Sequence, residues 1–254
     1  MTGISIFVHA IRMVVNNLGP ALRIGVVPLL VMAAAGWFFG SGFTPMTESG
    51  PAVVPDAGAF GRGLVAMVVS ILMSLWIAVA WHRFILLEEY PGAFLPHWNG
   101  GAIWSYFKAT VIVAILMILL AIPLVIVVGM LSAPALMADS EPGLLFGLVF
   151  FLVVGIPLTW VGYRLGPVLA GAAIGQGQAL KEAWRATARG SADLLVLAVV
   201  SVLAIWLPAM VLGALPPVLA VPFNAVLNWV SVMVGVGIIT TIYGHYVQGR
   251  ALNA

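Results

Sequence analysis

Three evenly spaced residues carry the most specific chemical signal in the sequence. Arg83, Arg164 and His245 stand in AWHRFILLEE, VGYRLGPVLAG and IYGHYVQGR, 81 and 81 residues apart, each with an aromatic within two residues on its N-terminal side. Arginine binds phosphate through paired N–H donors, and basic pockets on the cytoplasmic side of a membrane favour anionic headgroups. A ring of these groups, with His82 beside it, has the chemistry to hold a phosphate-bearing lipid. The same residues equally suit snorkelling anchors at helix ends. A second basic group, Lys181, Arg185 and Arg189 with Trp184 among them, lies in QALKEAWRATARG. Together the eight residues are the candidate contacts to lipid headgroups or a membrane partner.

Other chemistry finds little support. Glu88 and Glu89 follow His82 and Arg83, but no HExxH or DxD spacing accompanies them and they read as hydrated loop carboxylates. His9, His82, His97 and His245 are scattered without metal-ligand spacing. No Gly-x-Ser-x-Gly elbow and no phosphate-binding loop with its lysine occurs. The chain has no cysteine, which excludes disulfides, thiolate metal sites and a cysteine nucleophile. The expectation is a protein without catalytic residues, metal or cofactor.

The elements that position these residues follow from hydropathy. Of 254 residues, 63% are hydrophobic and 7% charged, against about 25% charged in ordinary soluble domains. Apolar runs of about 20 residues read as transmembrane helices. Six fit between the charges: Ala21 to Gly40, Leu64 to Trp81, Ala109 to Met130, Gly143 to Tyr163, Leu194 to Gly213 and Ala225 to Gly244. The first run is membrane-length and lacks a short apolar region with a cleavage site, so no secretory signal is expected. With both termini inside, nine of the ten Lys and Arg residues are cytoplasmic and only Arg62 lies outside, a strong positive-inside pattern. The outer loops carry Glu48, Asp56, Asp139 and Glu141. A net charge of +2 gives no reason to expect nucleic-acid binding.

Two cytoplasmic segments are amphipathic. Ile4, Phe7, Val8, Ile11, Val14, Val15 and Leu18 form one stripe, opposite Ser5, His9, Arg12 and Asn16, which predicts a helix lying in the interface. Leu180, Ala183, Trp184 and Thr187 face away from Lys181, Glu182, Arg185 and Arg189, which predicts a second one. Arg23, Lys108 and Asp193 open the odd-numbered spans 85 and 85 residues apart, and Pro123 and Pro208 are also 85 apart. With the spacing of 81, this points to one membrane domain, 1–254, built from three units, 1–82, 83–163 and 164–254, each an interfacial helix and two spans. Residues 90–107 of the middle unit are rich in Pro and Gly and lack a helical stripe. Pro28, Pro123, Pro157 and Pro208 predict kinks. Gly162, Gly166, Gly171, Gly175 and Gly177 crowd around Pro167, which reads as either a shielded helix break or a plain helix end. Asn228, Ser231, Thr240 and Thr241 fit either a polar seam on the last span or hydrogen bonds to their own or a neighbouring helix.

YRLGPVLAGAAIGQGQALKEAWRATARG, with its Arg, small-residue stretch and Leu-x-Glu-Ala-Trp-x-x-Thr helix, resembles a segment of uncharacterised bacterial inner-membrane proteins related to the membrane domain of glycerophosphoryl diester phosphodiesterases. AWHRFILLEEYPG resembles the matching stretch after span two. The resemblance implies a six-span helical module, sometimes fused to a phosphodiesterase barrel that is not in this sequence. It implies no catalytic residue here. The combined expectation is an all-α, multi-pass protein of a bacterial cytoplasmic membrane, serving as a scaffold, assembly factor or accessory subunit. The alternative is a transporter or flippase for a lipid or small apolar solute.

Overall fold

The structure is a computed structural model and describes residues 3–39, 57–137, 144–213 and 215–252. Every regular element among them is helical: α1 (Gly3–Asn16), α2 (Leu18–Phe39), α3 (Ala57–Leu87), α4 (Gly100–Met137), α5 (Leu144–Phe150), α6 (Ile156–Ala173), α7 (Leu180–Ala186), α8 (Ser191–Gly213) and α9 (Pro217–Tyr246). Six stretches, 18–39, 58–87, 100–131, 146–173, 188–212 and 218–246, are long and apolar enough to cross a membrane. The protein is therefore an all-α, multi-pass membrane protein. Glu48, Asp56, Asp139 and Glu141 lie outside the described residues.

The helices outrun the charge-free segments that predicted them. Lys108 lies inside α4, Arg83 inside α3 and Arg164 inside α6, well before its end at Ala173. Reading a span as ending at its first charge fails because a long cationic side chain need not end the helix that carries it. Residues 88–99 contain no helix, as their prolines and glycines predict. Glu88, at φ +56°, turns the chain sharply after α3.

Prolines act unevenly. Pro28, Pro167, Pro208 and Pro222 sit inside continuous helices. The interruption falls elsewhere, as a π-helical turn at Phe151–Gly155 that joins α5 to α6 just before Pro157. A proline there has no N–H for the i−4 carbonyl and its ring crowds it, and a widened turn relieves both.

All six long helices gather one end at what we call the basic end, where α2, α4 and α8 begin and α3, α6 and α9 finish. Packing is concentrated there. Ala21 and Ile24 of α2, Ile77 and Trp81 of α3, Ile103 and Tyr106 of α4, Leu165 and Ala170 of α6, Leu194 and Leu197 of α8, and Met233 and Ile242 of α9 are all buried. In the opposite half the buried hydrophobics among the described residues are few, chiefly Ala35, Val128 and Val154. Hydrocarbon supplies no hydrophobic drive to join helices, so they stay together where small residues and hydrogen bonds make close contact and separate where these are lacking.

α1 departs from its predicted setting. It is a helix, but its buried face is Gly3, Ile6, Ala10 and Val14, wedged against α8 and α9. A Cβ on Gly3 would overlap Asp193 O and the backbone of Leu197. Ile4, Val8, Ile11 and Val15 remain exposed. The predicted stripe is thus divided between a protein contact on one flank and an open apolar face on the other.

Candidate functional site

At the basic end, arginines bind the carboxyl ends of neighbouring helices. Such ends carry unpaired carbonyls and partial negative charge, which a cation satisfies. Arg83 donates from Nη1 to Ala173 O, at the end of α6, at 3.3 Å, and from Nε to Glu89 at 2.7 Å, forming an ion pair. Glu89 is thereby a structural partner rather than a loose loop carboxylate. Arg250 donates to Ile85 O (3.3 Å) and Leu86 O (3.0 Å), at the end of α3.

Arg164 serves α7. Its Nη2 donates to Trp184 O at 2.6 Å, its Nε to Thr187 Oγ1 at 3.3 Å and its Nη1 to Ser191 Oγ at 3.5 Å. The guanidinium lies 3.7 Å from the Trp184 ring centroid and 5.5 Å from that of Trp160. Trp160 donates its own indole N–H to Ser191 O at 3.0 Å. Thr187 is fully buried beneath this clamp and donates back to Ala183 O at 2.9 Å. Arg164 is only 6% exposed and meets no carboxylate among the described residues, so the π faces and carbonyl dipoles hold its charge.

Clamped from below, α7 presents the opposite side. Lys181, Arg185 and Arg189 are exposed, Ala183 is buried, and Trp184 is partly exposed at the edge. Glu182 is spent locally, accepting the Ala179 N–H at 3.1 Å and so capping the first turn of α7. The result is a compact basic surface with an aromatic border.

The remaining candidates fall elsewhere. His82 is fully buried, so the helix packing that encloses Trp81 also removes it from the rim. Thr240 donates to Val236 O at 2.8 Å, and the 2.8 Å contact between Thr240 Oγ1 and His82 Nδ1 is therefore one in which the imidazole donates. His82 Nε2 is left buried without a hydrogen-bond partner among the described residues. His245 shares Nδ1 with Arg250 O at 3.1 Å. No hydrogen bond among the described residues joins Arg83, Arg164 and His245 to one another; they are three separate stations at one end of the bundle.

Three of the cavities bear on the candidate residues. One of about 740 Å³ opens between α2, α3 and α9, with Ser70, Asn224 and Asn228 on apolar walls. Another of about 380 Å³ lies between α1, α6, α8 and α9, with Tyr163, Ser201 and Ser231 on its walls. Trp229 borders both. The polar residues of the last span therefore do not form one seam: Asn228 and Ser231 line different cavities, while Thr240 and Thr241 are buried and donate to carbonyls of their own helix. The third cavity, about 100 Å³, brings together His9, His245 and Arg250 at the basic end. The sequence reading missed this grouping, since only the docking of α1 brings His9 to α9. No protein-family model, curated protein or solved structure matches the chain.

Proposed function

We propose that the protein is a non-enzymatic scaffold or accessory subunit of a bacterial cytoplasmic membrane, with its basic end inward, and that α7 contacts anionic headgroups or a membrane partner. The observation that carries this reading is the exposed Lys181 and Arg185 on a helix fixed from beneath by Arg164, with Arg189 exposed in the turn that follows. Juxtamembrane cations attract an anionic leaflet with about 1 kcal/mol each. Trp184 suits headgroup depth.

Two outcomes are expected. In native mass spectrometry the purified chain retains phosphatidylglycerol or cardiolipin over phosphatidylcholine, and the combined Lys181→Gln, Arg185→Gln and Arg189→Gln variant weakens that preference about tenfold or more. An unchanged preference in the variant refutes the role of α7. On intact cells, a single cysteine placed at Arg185 of this cysteine-free chain stays unlabelled by an impermeant maleimide until the membrane is opened. Immediate labelling would reverse the orientation.

The two larger cavities favour a second reading, passage of a lipid or small apolar solute. Both have mostly apolar walls, and among the described residues no Asp, Glu, Lys or Arg lines either one, a lining that suits acyl chains better than ions. Retention of the same lipids with vesicle-to-vesicle or leaflet-to-leaflet transfer would move the conclusion to this reading.

A further inference from the structure

The small cavity at the basic end is built from four parts of the chain. α1 contributes His9 and Met13, the end of α3 contributes Ile85 and Leu86, and α9 contributes Thr240, Thr241, Gly244 and His245. Arg250, Ala251 and Leu252 close it. Among the described residues no Asp or Glu lines it. Its volume, about 100 Å³, equals the share of about three waters in the liquid, room for one tetrahedral oxyanion.

The donors suit such a guest. Arg250 uses Nη1 and Nη2 on Ile85 O and Leu86 O, which fixes the guanidinium against the wall those residues form. A guanidinium has five N–H donors, so three remain. Arg250 meets no carboxylate among the described residues. His245 binds Arg250 O through Nδ1, which leaves Nε2 for another partner, a donor in the imidazolium form. Thr240 is held in place from the other side by His82. Met13, Leu86 and Leu252 supply apolar wall beside these polar groups.

We propose that this cavity binds a phosphate group, either free inorganic phosphate or the phosphodiester of a lipid headgroup, through His9, His245 and Arg250. The site is separate from the α7 surface and uses none of its residues. Failure of the α7 reading therefore leaves this site standing, and the reverse holds as well.

The test uses the full chain. Delipidated protein in dodecyl maltoside is titrated with inorganic phosphate and followed by phosphorus NMR line broadening. Phosphatidylglycerol retention is measured in parallel by native mass spectrometry. Saturable binding of phosphate alone assigns a free anion, of phosphatidylglycerol alone a headgroup, and of both in competition the shared chemistry.

In each case the His9→Gln/His245→Gln double variant is expected to bind about tenfold more weakly or worse, from the loss of the imidazole contacts to the anion. Gly244→Val keeps every donor but fills space. A Cβ there would sit 3.5 Å from Arg250 Cδ, an ordinary contact, and the two further methyls of valine would crowd the cavity beside Arg250. It too is expected to lose binding, whereas the combined Lys181, Arg185 and Arg189 variant keeps phosphate binding. Absence of saturable binding by either probe, or wild-type affinity in both His9→Gln/His245→Gln and Gly244→Val, overturns the proposal.

Discussion

Arg164→Met is expected to destabilise the protein by about 3 kcal/mol, read as a lower unfolding midpoint in a detergent titration. One short charge-assisted bond, to Trp184 O at 2.6 Å, contributes about 1.5–3 kcal/mol. A desolvated cation–π contact contributes about 2 kcal/mol. The contacts to Thr187 and Ser191, at 3.3 and 3.5 Å, add little. Burial of the guanidinium opposes these gains, which brings the net below their sum.

Arg164→Lys is expected to recover less than half of the loss. An ammonium can reach Trp184 O, but it lacks the planar face that stacks on the Trp184 ring and the fork that also reaches Thr187. Loosening is local, so proteolysis should speed first between Gly175 and Gly190. Anionic-lipid preference should fall with it, because Arg164 holds the helix that carries Lys181 and Arg185. Wild-type stability in Arg164→Met would show that the tryptophans and Thr187 hold α7 without the charge.

The second large effect is expected at Gly171. A Cβ there would overlap Gln176 O and lie 3.4 Å from the Tyr243 ring. The chain leaving α6 folds back directly over this residue, and Gln176 N donates to Gly171 O at 2.8 Å. The obstruction is backbone, which cannot rotate aside. Gly171→Ala should cost about 1–3 kcal/mol, as overpacking does, and Gly171→Val more.

The turn also positions Ala173 O for Arg83 and Gln176 Oε1 for the Tyr243 hydroxyl, which donates at 3.0 Å. Both connections should weaken together. Gly162→Ala and Gly177→Ala are the controls. A Cβ at Gly162 would find only Met117 Cε at 3.9 Å, and one at Gly177 would find nothing within 4 Å. Equal unfolding midpoints for Gly171→Val and Gly162→Ala would remove the steric argument.

These glycines illustrate how far local pattern reaches. The crowd from Gly162 to Gly177 is visible in the sequence, but its members do different work. Gly171 admits a returning backbone, Gly175 takes φ +77° at a helix end, and Gly177 is open. The helix runs through Pro167 unbroken. Composition cannot rank the glycines, because the crowding atoms belong to residues brought back by the turn and by α9.

The six spans, the gathering of cations at one end and the two faces of α7 were determined by the sequence alone. Each depends on the transfer of about 20 consecutive residues, or of one helical face, between water and hydrocarbon, a cost that adds residue by residue. Tertiary structure decided the rest: the rotation of α1 onto Gly3, Ile6 and Ala10, the enclosure of His82, the capture of Arg164 by Trp184, and the meeting of His9 with His245. Inside a bilayer one apolar helix face is solvated nearly as well as another. Which faces meet therefore depends on shape and hydrogen bonding between distant segments, information that no local window of the chain contains.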